Sequence, residues 1–70
     1  MDENLKVFLR DGIITIYNES ERNIRISTPA GDNFIIKANT EIKYNANNII
    51  FSILKRYIIN YPEQIIFEEF

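Results

Sequence analysis

Seventy residues make one small domain, and a chain this size buries only about 60% of the surface it exposes when unfolded, so a deep catalytic pocket would compete with the core for side chains. With no Cys and no His, disulfide staples, thiolate or imidazole metal sites and the commonest general base are all excluded. Eight Lys+Arg against ten Asp+Glu give a formal net charge of −2, opposite in sign to what non-specific phosphate binding needs, while 46% hydrophobic residues with two Gly and two Pro speak for a packed core.

Met1-Asp2-Glu3 opens the chain without a basic or apolar targeting run, and no apolar stretch reaches membrane-spanning length. The expectation is a cytoplasmic protein with no membrane partner. Leu5, Val7 and Leu9 alternate with Lys6, Phe8 and Arg10, the period of a half-buried strand over 5–9. Asp11-Gly12 then predicts a type I′ hairpin turn into a second strand over 13–17, which sets Leu9 opposite Ile14 and Val7 opposite Ile16. Asn18-Glu19-Ser20 matches a glycosylation sequon, which reads as chance in a chain with no secretion signal.

A polar loop leads to a third strand over 23–27, where pairing of Ile16 with Ile24 and of Ile14 with Ile26 would continue the meander. Thr28 to Asn33 is a loop, followed by a strand over 34–38 and a short one over 42–44, with Ile36 expected to face Tyr44. From about 46 to 61 the apolar period becomes helical, and Ile49, Ile50, Ile53, Leu54, Tyr57 and Tyr61 share one stripe. Pro62 ends that helix. In the tail, 62–70, Ile65 and Phe67 alternate as an edge strand would. The expected fold is α+β: an antiparallel meander of four to five strands with one helix from the C-terminal half packed on one face.

Ile36-Lys-Ala-Asn-Thr-Glu-Ile-Lys43 and Tyr44-Asn-Ala-Asn-Asn-Ile-Ile-Phe51 repeat at eight residues. This pair, sixteen residues in all, resembles the octad repeats of phage tail-spike β-helices, and the resemblance implies a structural subunit of an assembly such as a phage tail component. Abundant Ile and Asn are compatible with an AT-rich genome, including a viral one.

No catalytic, cofactor-binding or metal-ligating residue is expected. Serine and threonine hydroxyls have no neighbouring activator, and the carboxylate pairs Glu19/Glu21 and Glu68/Glu69 read as solubilising residues in a loop and a tail. The strand registers gather Lys6, Phe8, Arg10, Tyr17, Arg25, Ile35, Lys37 and Lys43 on one outward sheet face free of acids. Exposed strand positions are often merely solvated, but Phe8, Ile13 and Ile35 gain nothing from water. A protein partner is therefore expected, in keeping with a small regulator or inhibitor of a larger protein. The alternative is single-stranded nucleic acid, whose bases stack on aromatics and whose phosphates follow cations. Off the helical stripe, Phe51, Ile58 and Ile59, together with Ile65 and Phe67 of the tail, predict homo-oligomer or partner contacts.

Overall fold

The computed structural model describes residues 4–70. The described residues are α+β, with six strands in two antiparallel three-stranded sheets and one helix in the C-terminal half. In chain order these are β1 (Leu5–Arg10), β2 (Ile13–Asn18), β3 (Ile24–Ser27), β4 (Asn33–Ile36), β5 (Thr40–Asn45), α1 (Ile49–Asn60), a 3-10 turn at Pro62–Gln64, and β6 (Ile66–Glu69). One sheet has the order β1-β2-β5 and the other β4-β3-β6.

The first hairpin follows the sequence pattern closely. Asp11 and Gly12 both take positive φ, at 53° and 72°, and Leu9 lies opposite Ile14 and Val7 opposite Ile16. A Cβ built on Gly12 meets nothing within 4 Å, so Gly12→Ala isolates the backbone penalty of a left-handed residue. That variant should lose about 1–2 kcal/mol in urea unfolding without loss of fold. An unchanged midpoint would mean that the turn does not set the register.

Beyond β2 the pairing departs from the simple meander. β2 takes β5 as its second neighbour, so Ile16 faces Ile42 and Ile14 faces Tyr44 rather than Ile24 and Ile26. Likewise Ile36 pairs with Ile24 in the other sheet and not with Tyr44. The cause sits at the end of β2. Asn18 is 2% exposed, and its Nδ2 donates to the carbonyls of Arg22 at 2.8 Å and Ile36 at 2.9 Å. Its Oδ1 accepts from the backbone N–H and the hydroxyl of Ser20, at 2.9 and 2.8 Å. These bonds hold the loop after β2 against the end of β4, and β3 starts a new sheet instead of lying along β2. The same burial makes the sequon asparagine inaccessible to a glycan.

The two inner faces and the helix share one core: Leu5, Ile14 and Ile16 from the first sheet, Ile24, Ile26 and Ile36 from the second, and Phe51 and Leu54 from α1. Asn48 caps α1, its Oδ1 accepting from the Ile50 N–H at 2.9 Å. The helix is turned by about 60° from the expected stripe at 100° per residue. Phe51 faces inward at 7% exposure, while Ile49 is 75% exposed. Phe51 fills the space between α1 and the sheets, which leaves Ile49, in the first turn, beyond the edge of the core. The second copy of the eight-residue repeat runs from β5 into α1, so the repeat does not set a β-helical architecture. The tail forms β6, an edge strand of the second sheet with Phe67 opposite Ile26.

Candidate binding surface

On the outer face of β1-β2-β5, alternation and register produce three cross-strand rows: Lys6–Tyr17–Glu41, Phe8–Thr15–Lys43 and Arg10–Ile13–Asn45. Phe8 and Tyr17 meet edge to face, with ring centroids 6.0 Å apart and planes at 82°. Around them lie ion pairs: Lys6 with Glu19 at 3.6 Å, Lys43 with Glu41 at 3.4 Å, and Arg10 with Asp11 at 3.8 Å. A hydrogen bond to the Glu41 carboxylate, helped by its negative charge, raises the Tyr17 phenol above its ordinary pKa, with Lys43 opposing. The face is therefore not free of acids. β5 begins at Thr40 instead of 42, and the longer strand brings Glu41 onto the outer surface.

The eight residues expected on one face are divided between surfaces. Lys6, Phe8, Arg10, Tyr17 and Lys43 do share the outer face of the first sheet. Arg25 and Ile35 pair on the second sheet, where Arg25 reaches Glu68 at 3.0 Å and lies 4.8 Å over the Phe70 ring. Lys37 follows the end of β4 and belongs to neither strand surface. Parity within each strand is as expected, but the strands belong to two sheets with the core between them. A continuous docking area through all eight residues does not exist.

Of the residues expected at an oligomer or partner contact, Phe51 is buried, and Ile58, Ile65 and Phe67 pack against the core. Ile58 and Phe67 also help line an apolar cavity of about 30 Å³ with Val7, Ile16, Ile26 and Leu54. Typical small-molecule pockets measure about 300–1,000 Å³, so this void is a packing gap. Ile58, Ile65 and Phe67 stay partly exposed, and Ile59 is the most open of the five at 55%.

A feature not expected from the sequence lies beside it. Ala46, Phe51, Ser52, Lys55, Arg56 and Ile59 line an open groove along α1. Lys55 lies 5.9 Å from the Phe51 ring, and the Arg56 guanidinium 6.0 and 5.8 Å from Tyr57 and Tyr61. The signal for this groove was the Lys55-Arg56 pair, but its meaning depends on the rotation of the helix.

Comparison with known proteins finds no match to a family model, to a curated protein or to a solved structure. Among the described residues, no helix is long and apolar enough to cross a membrane.

Proposed function

We propose that the protein is a non-enzymatic protein-binding module, a small regulator or inhibitor of a larger protein, that docks through the outer face of β1-β2-β5. The observation carrying this reading is the exposed apolar patch there: Phe8 at 53% and Ile13 at 38% exposure, with the Phe8 ring set against Tyr17. Apolar and aromatic anchors within a charged rim are the usual anatomy of a protein contact, and a few such anchors carry most of the affinity.

Nucleic acid is the weaker alternative, for an electrostatic reason. Lys6, Arg10, Arg25 and Lys43 already have carboxylates within 4 Å, so half of the eight cations would have to exchange an internal partner for a phosphate. Once a partner has been captured from the native host, Phe8→Ala should weaken its binding by at least about tenfold, as loss of a central aromatic anchor does. Phe8 is exposed, so folding should be nearly unaffected. Undiminished affinity would remove this face as the site. Salt-dependent binding of a labelled single-stranded oligonucleotide would instead favour nucleic acid.

A further inference from the structure

The outer groove of α1 combines three properties. At 100° per residue, Ser52 and Ile59 lie within about 20° of one another, with Lys55 about 50° to one side and Arg56 about 50° to the other. The groove thus has a narrow floor of one apolar and one hydroxyl side chain, flanked by a cation on each side. Second, α1 contains no acidic residue, and neither cation is within 4 Å of a carboxylate among the described residues. Their aromatic neighbours orient the charges but do not neutralise them. Third, the surface is open, with Lys55 and Arg56 both exposed and Ile59 55% exposed.

We infer that this groove receives an acidic amphipathic segment of a protein partner, with an apolar side chain on the Ser52–Ile59 floor and carboxylates reaching Lys55 and Arg56. The inference rests on the protein-binding reading and adds to it a second surface with its own partner chemistry. Charge complementarity selects the occupant. A second copy pairing two-fold about the midpoint of α1 would bring the Lys55 and Arg56 of both chains together, which is repulsive. An acidic segment instead supplies the two charges that the groove lacks, while its apolar residues cover Ile59.

Selection of random phage-displayed peptides against the full chain tests this directly. The selected sequences should be rich in Asp and Glu spaced by apolar residues, should lose affinity as salt is raised, and should bind Lys55→Glu/Arg56→Glu at least about tenfold more weakly. Both substituted side chains are exposed, so circular dichroism should show an unchanged fold. Failure to enrich acidic peptides, or equal binding to the charge-reversed protein, would overturn the inference. Peptides insensitive to that reversal but lost on Phe8→Ala would overturn the groove and leave the sheet-face reading standing. Peptides sensitive to the reversal but not to Phe8→Ala support the groove independently of that face. Dimerisation in sedimentation that disappears in the charge-reversed protein would assign the groove to a second copy and likewise overturn the acidic partner.

Discussion

Asn18→Ala should destabilise the protein by about 2–4 kcal/mol, because one truncation removes four hydrogen bonds made by a side chain that is 2% exposed. The Ile36 carbonyl loses the Nδ2 donor and the Ser20 N–H its Oδ1 acceptor, while the Ser20 hydroxyl and the Arg22 carbonyl keep each other at 2.8 Å. A domain of this size has a total stability of only about 4–10 kcal/mol, so a large share of it depends on one side chain. Asn18→Asp is the instructive companion. Its carboxylate can still accept from Ser20, yet it turns a negative oxygen toward the two carbonyls that Nδ2 now satisfies. It should therefore rescue little at neutral pH. Urea unfolding monitored by tyrosine fluorescence measures both variants. A loss below about 1 kcal/mol for the alanine variant would show that water replaces the network and that the separation of the sheets has another cause.

Leu54→Ala should be at least as damaging, at about 3–5 kcal/mol. Leu54 is 1% exposed and belongs to the core shared by both sheets, so its removal leaves a hole that neither sheet can collapse to fill alone. It also borders the existing apolar void of about 30 Å³, which the truncation would enlarge. Ile49→Ala is the matched control, since Ile49 is 75% exposed and should change stability by no more than about 0.5 kcal/mol. The apolar period alone places Ile49 and Leu54 on the same stripe. Equal losses at the two positions would therefore contradict the observed rotation of α1.

That rotation illustrates what the sequence leaves open. Eight of the twelve residues of α1 are apolar, so several stripes fit the helical period and only the shape of the sheets selects Phe51 over Ile49. In the strands, alternation fixes which face a residue occupies, and every expected outward residue of β1 and β2 is indeed outward, but Leu9, expected inward, is 44% exposed beside the turn. It does not fix the neighbouring strand. Ile14 and Ile16 could face Ile24 and Ile26 or Ile42 and Tyr44 with similar apolar contact, and the choice falls to a buried asparagine in a stretch that otherwise looks like an ordinary polar loop. The same ambiguity explains the candidate surface. Lys6, Phe8, Arg10 and Tyr17 are held together by a local hairpin, whereas joining Arg25 and Ile35 to them required a single sheet that the chain does not form.

The arrangement of the second sheet bears on the order of events during synthesis. β6 docks on β3 through partners such as Arg25 and Glu68, 43 residues apart in the chain. A ribosome releases residues one by one, so the β3–β4 ribbon emerges well before its third member and must wait with the Ile26 flank uncovered. Contacts between such distant segments also close slowly. Crowding by other nascent chains is most hazardous in that interval, and a holding chaperone would have its greatest effect there.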